Sequence, residues 1–240
     1  MLLTKRIILA LVLCVTGMGV FAQTAGAIID KNIAAMGGKD KLSRLNSVYE
    51  EITTSLMGQD IPGKLWIVND KGMRTEMTVM GQKIISVMTK DTGWMVNPLM
   101  GNGTPQPLPS AQIKQSVSRM DLRGQLMDYA SKGYNATLLG KEAVDGKDNY
   151  KIKLSKTGQQ DFTFFIDAST YLITKIQTNV EANGTSMNTN ILMSDYRKTP
   201  DGYTFPFTTT ISINPGGEIK STISRLTINP TVAPAVFLKP

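Results

Sequence analysis

The sequence predicts a mainly β protein of the α+β class, built on one large, strongly curved antiparallel sheet with helices packed on its inside. Turn signals recur about every 11 residues over most of the chain, the spacing of an antiparallel meander. The runs between those turns follow a period of two. Several runs are apolar on both faces, as in Trp66-Ile67-Val68 and Ile84-Ile85, so the sheet must be covered on both sides.

The first element is a leader. Lys5 and Arg6 precede the apolar run Ile7 to Val15, and Val20-Phe21-Ala22 fits a signal-peptidase site, so residues 1–22 read as a signal peptide cleaved after Ala22. Cys14 follows Leu13 rather than the small residue that lipoprotein processing requires, so no lipid anchor is expected. No second run approaches the ~20 apolar residues of a spanning helix, and residues 23–240 are expected to form one exported, soluble domain.

Gln23 to Leu45 reads as helix. Ala27, Ile28 and Ala34 with Ile29, Ile33 and Met36 make an apolar side, and Gly37-Gly38 supplies a stop before a second short turn through Leu42 and Leu45. Strand patterns then run at Val48 to Met57, Lys64 to Asn69, Met73 to Met80, Lys83 to Thr89 and Trp94 to Asn97. A Gly/Pro-rich link from Gly101 to Pro109 breaks the series. After it Ile113, Val117 and Met120 recur at i, i+4 and i+7, and Leu122, Leu126 and Tyr129 repeat that spacing, which predicts two short amphipathic helices. The strands resume at Tyr134 to Ala143, Tyr150 to Leu154, Phe162 to Ile166, Tyr171 to Val180, Ser186 to Tyr196, Tyr203 to Ile213 and Ile219 to Ile228, about 12 in all.

Composition removes whole classes of chemistry. Histidine is absent and Cys14, the only cysteine, leaves with the leader, so Ser-His-Asp, Cys-His, thiolate and His-zinc sites are excluded. The full chain carries +7, and losing Lys5 and Arg6 leaves +5, spread over strands and turns rather than gathered in one arm, which argues against nucleic acid. No Walker loop, dinucleotide fingerprint or Gly-x-Ser-x-Gly occurs. The carboxylates, Glu50-Glu51, Glu76, Asp121, Asp128, Asp161 and Asp167 among them, read as structural, and neither metal nor cofactor is expected.

What remains is apolar surface. Met73, Met77, Met80, Met88, Met95 and Met100 crowd one block, and flexible thioethers suit a surface that adapts to ligands of variable shape, or equally an irregular core. With Trp66 and Trp94, Met73, Met77, Met80 and Met95 are the candidate lining of a ligand cavity. The two helical stripes, Ile113, Val117 and Met120 with Leu122, Leu126 and Tyr129, must bury themselves against something, either as a lid over that cavity or as fixed core helices.

Four stretches carry a resemblance. They are Gly63-Lys64-Leu65-Trp66-Ile67-Val68, Trp94-Met95-Val96-Asn97-Pro98 after an Asp/Gly turn, the helical insert, and Asp195-Tyr196-Arg197-Lys198-Thr199-Pro200-Asp201-Gly202-Tyr203-Thr204-Phe205-Pro206-Phe207. Together they look like the outer-membrane lipoprotein-sorting family, the LolA/LolB-like periplasmic lipoprotein carriers of Gram-negative bacteria. The closing hairpin and Gly37-Gly38-Lys39-Asp40-Lys41-Leu42 are most similar to the Bacteroidetes branch.

The resemblance implies an unclosed β-barrel of 11–12 strands with an α-helical lid on the concave side and a cavity that shields lipoprotein acyl chains or other lipids. An inner-membrane donor complex and an outer-membrane acceptor are the implied partners. The family's lid-latching arginine, in an Arg-Pro pair, has Asn69-Asp70 in its place here, and Arg74 does not substitute for it. The expected function is therefore a monomeric, non-enzymatic periplasmic carrier; a secreted carboxylate-dependent hydrolase on a similar scaffold is the alternative.

Overall fold

The structure, a computed structural model, describes residues 23–56, 58–182, 185–214 and 217–239. The expected signal peptide lies outside them. No helix among the described residues is long and apolar enough to cross a membrane.

Helix α1 (Ala25–Ala35) starts where the Thr24 hydroxyl accepts the Ala27 N–H at 3.2 Å. It ends at Gly37 and Gly38, both at positive φ, with the Gly38 N–H returning to the Ile33 carbonyl at 2.9 Å. Gly37 is fixed twice over, because a Cβ there would stand 2.9 Å from the Gly202 carbonyl oxygen. A short helix α2 (Lys39–Leu42) follows, and then six strands: β1 (Ser47–Leu56), β2 (Gln59–Val68), β3 (Gly72–Val79), β4 (Gln82–Thr89), β5 (Gly93–Asn97) and β6 (Asn102–Pro107). The insert contributes α3 (Ser110–Ser116), continued by a 3-10 turn over Val117–Met120.

Seven more strands complete the sheet: β7 (Asn135–Val144), β8 (Lys147–Ser155), β9 (Phe162–Asp167), β10 (Ile173–Ala182), β11 (Thr185–Lys198), β12 (Thr204–Asn214) and β13 (Gly217–Ile228). Their order is β6-β5-β4-β3-β2-β1-β13-β12-β11-β10-β9-β8-β7, every pair antiparallel. The sheet is not closed, and its two edges are β6 and β7. This order dictates where the insert goes. The chain must travel from one edge of the sheet to the other between Pro107 and Asn135, and it does so across the inner face.

Two sequence expectations are corrected. The Gly/Pro-rich link contains a thirteenth strand, β6, which tolerates Pro105 and Pro107 because it is an edge and needs no second row of N–H donors. Leu122, Leu126 and Tyr129 do not form a helix. Residues 121–133 run as successive turns, with Gly124, Asp128 and Gly133 in the left-handed region that an α-helix cannot contain.

Two buried clusters fill the inner face. In the first, Leu42, Leu45, Ile113, Met120 and Met127 pack on Val48, Ile67, Met73 and Met88. In the second, Ile28 and Ile29 of α1 with Leu126 pack on Ile152, Leu154, Phe164 and Ile176. The β11–β12 hairpin clamps the helices between them: the Thr204 N–H reaches the Met36 carbonyl at 3.0 Å, and the Tyr203 hydroxyl reaches the Lys41 carbonyl at 3.1 Å.

Asn229 closes the other end. At φ 49°, its side chain accepts the N–H groups of Asn46 and Ser47 at 2.8 and 3.3 Å and donates to the Arg44 carbonyl at 3.1 Å, pinning the entry of β1 to the exit of β13. Asn229→Ala is expected to cost about 2 kcal/mol, from the lost bonds and the left-handed backbone, measured by urea unfolding.

Candidate functional site

Strand register sorts every side chain of the first block onto one of two faces. Three rungs cross the inner face. The first, Ile228–Val48–Ile67–Met73–Met88, lies beneath α2 and the insert. The second runs Leu226–Glu50–Leu65–Thr75–Ser86–Met95. The third, Ile223–Ile52–Gly63–Met77–Ile84, belongs to neither buried cluster, and its four apolar side chains stay half-buried. Gly63 lets Ile52 and Met77 close over it, since a Cβ there would meet them at 3.3 and 3.4 Å. The inner face is thus apolar and packed beneath the helices at the first rung, and apolar but only half-buried at the third.

Of the residues expected to line a cavity, this arrangement brings together Met73, Met77 and Met95, one on each rung. Trp66 and Trp94 are not with them. The opposite face carries the rung Tyr49–Trp66–Arg74–Val87–Trp94. There Tyr49 packs against Trp66 at 5.1 Å between ring centroids, and Arg74 lies 6.0 Å over Trp94. The C-terminal segment covers this rung, with the Arg74 guanidinium donating to the Val236 carbonyl at 3.0 Å. Met80 stands in the β3–β4 turn at φ 49°, 83% exposed and apart from the three rungs. Both tryptophan strands are apolar on each face, so parity alone could group residues but could not tell which group faced inward.

The insert residues divide between the two clusters. Ile113, Met120 and the half-buried Leu122 join the first, Leu126 and Tyr129 join the second, and Val117 is half-buried. Beneath the segment 122–127 lies a cavity of about 210 Å³, lined by Ile33, Met36, Phe164, Ile176, Met193 and Phe205 among others. The insert is tied to the β2–β3 turn by polar bonds: the Leu122 N–H donates to the Asn69 side chain at 3.1 Å, and Arg123 meets Asp70 at 3.3 Å. Lys90 and Arg123 hold the Asp70 carboxyl below its ordinary range, Lys90 contributing most. Asn69-Asp70 thus contacts the insert, whereas Arg74 lies on the far side of the sheet, paired with Glu76 at 2.7 Å.

Two charged groups were missed. Glu50 lies half-buried on the second rung between Leu65 and Leu226, and among the described residues it makes no hydrogen bond or ion pair. Burial pushes its carboxyl up from 4.5 to about 7. Arg119, on the 3-10 turn of the insert, is likewise without a described partner, and burial pushes its guanidinium down from its ordinary value. It nevertheless stays accessible to water. The signal for Glu50 was available in the alternation Val48, Glu50, Ile52, which sets it on the apolar face of β1.

Comparison with known proteins adds the fold. No family model and no curated protein matches the sequence. Among solved structures, the chain is similar to a protein described as an outer membrane lipoprotein-sorting protein domain from Vibrio parahaemolyticus, at 13% identity and TM-score 0.59, covering 88% of this chain and 95% of that one. It is also similar to a LolA superfamily protein from Nitrosomonas europaea, at 15% identity and TM-score 0.58, over 91% and 99% of the two chains. A DUF1329 family protein from Desulfovibrio piger matches at 14% and 0.59, over 90% and 98%. The chain has the fold of the LolA-like lipoprotein-sorting proteins.

Proposed function

We propose that this protein carries lipid, either the acyl chains of a lipoprotein or another lipid, through the periplasm toward the outer membrane, without catalysing a reaction. The observation that supports the reading is the third rung: Ile223, Ile52, Met77 and Ile84 form a continuous apolar strip that neither cluster covers, on the inner face of a LolA-like sheet. Burying chain there is worth about 0.8 kcal/mol per CH2, so two acyl chains bind firmly with no directed polar contact. The cavity of about 210 Å³ beneath the insert is smaller than the ~300–1,000 Å³ of ordinary ligand sites. On this reading the described form is the closed one. The insert is its lid, held through Asn69 and Asp70, and a donor complex and an acceptor would act on it.

The mature protein is expected to bind an environment-sensitive fatty-acyl probe saturably, and Met77→Glu to weaken that binding at least about tenfold by placing a charge against the chain. A folded sample that shows no saturable binding would remove the carrier reading.

A further inference from the structure

The second rung differs from its neighbours. The first and third are apolar throughout, whereas the second sets the Glu50 carboxyl and the Thr75 and Ser86 hydroxyls in one line across β1, β3 and β4. None of these three side chains has a hydrogen-bond partner among the described residues. Glu50 is the only one of them that carries charge, and among the described residues the elements around it supply no countercharge. On β2 its inner-face neighbours are Gly63, Leu65 and Ile67, and on β13 they are Ile223, Leu226 and Ile228. From α2, Lys39 pairs with Asp128 at 2.7 Å and Lys41 donates to the Asp201 carbonyl at 3.0 Å. Arg119 of the insert forms no ion pair with it, and nothing but burial shifts either group. A carboxylate in such surroundings is costly unless something pairs with it.

The charge of a ligand that would pair with it follows. An anion is repelled. A divalent metal would want further carboxylates, and no cluster of three or more metal-binding groups occurs among the described residues. One carboxylate matches one positive charge, and the Thr75 and Ser86 hydroxyls, two and three strands along the same rung, offer acceptors for a more extended polar head.

We propose that Glu50 receives a protonated primary amine of the cargo, so that the inner face selects an amphiphile whose polar part carries an ammonium group while its chains lie along Ile223, Ile52, Met77 and Ile84. This rests on the carrier reading and adds to it a chemical class of cargo. It also makes binding pH-dependent. The amine needs the carboxylate, and protonation of a group that titrates near pH 7 competes with it.

The test uses displacement of a bound fatty-acyl probe by dodecylamine and by its N-acetyl derivative, which shares the chain but lacks the charge. At pH 8 the wild-type protein is expected to need about ten times less dodecylamine than N-acetyl derivative for the same displacement. That ratio should fall about tenfold between pH 8 and pH 6, and should be near one at both pH values in Glu50→Gln, a variant of unchanged shape. Equal potency of the two amphiphiles on wild-type protein would overturn the amine site and leave the carrier reading standing. A preference that survives in Glu50→Gln would overturn it as well. If the probe does not bind at all, the carrier reading fails and this proposal fails with it.

Discussion

Leu126→Asp is expected to cost the fold about 3–5 kcal/mol, measured by urea unfolding of the mature protein. Leu126 is 4% exposed, within a cluster that joins Ile28 and Ile29 of α1 to Phe164 and Ile176 of the sheet. The substitution removes a large aliphatic side chain from that cluster and leaves a carboxylate without a partner. Against the ~5–15 kcal/mol of a typical domain, such a loss empties most of the margin. The segment around Leu126 lacks helical structure of its own, so a second outcome has clear physical meaning. If the insert lifts off as a unit, the cost is capped at the free energy of that local opening. The sheet would then keep its far-UV signal and its urea midpoint while lipid exchange quickened. A loss under about 1 kcal/mol with faster exchange would identify residues 121–133 as the gate, and full destabilisation would place the moving part elsewhere in the insert.

Glu50→Gln is expected to stabilise the protein, by an amount that depends on pH. Burial raises the carboxyl from 4.5 to about 7, so the folded state holds its proton more tightly than the unfolded chain does. Below about pH 4.5 both states are protonated and the substitution changes little. Between about pH 4.5 and 7 the unfolded chain gives up its proton while the folded state keeps it, so the wild type progressively loses stability that the glutamine variant keeps, and above pH 7 the loss is complete. Because Glu50 is half-buried and solvent screens part of the effect, the gain above pH 8 should be about 1–2 kcal/mol, or ~2–6 °C in Tm. Identical Tm profiles from pH 4 to pH 9 would mean that the carboxyl is solvated in the folded state. A stabilising substitution at a position the chain fills with acid is the mark of a residue kept for binding rather than for folding.

The sheet was legible in the sequence because a period of two and frequent turns survive in nearly every strand. The strand β6 was not, since Gly103, Pro105 and Pro107 are poor strand formers that an edge nonetheless accepts. The stripe Leu122, Leu126, Tyr129 had helical spacing, but Gly124 and Asp128 turn the backbone left-handed between its members, and burial of the stripe was satisfied without a helix. The candidate site was half legible. Spacing grouped Met73 with Met77 on β3, yet where both faces are apolar nothing in the pattern says which one meets the helices, and Trp66 and Trp94 turned out to lie on the other. Glu50 was passed over because Glu50-Glu51 reads as an ordinary acidic pair. The alternation Val48, Glu50, Ile52 already sets the two on opposite faces, and the register shows which is which, Glu51 on the outer face with Arg225 and Glu50 on the inner one with Leu65.

The strand order also bears on how the chain reaches this state. Every neighbouring pair in the sheet is consecutive in sequence except one, the seam between β1 and β13. Residues 47–107 and residues 135–228 are therefore two ladders of local hairpins, each able to form with short loop closures, and the long-range closure entropy falls on the single seam that begins at Val48 opposite Ile228. Two half-sheets assembled separately would recognise each other along that line, and a nick anywhere between Leu108 and Tyr134 would leave both of its sides intact. Glu50, opposite Leu226, sits on the same line, so the half-buried carboxylate lies on the seam that joins the two halves.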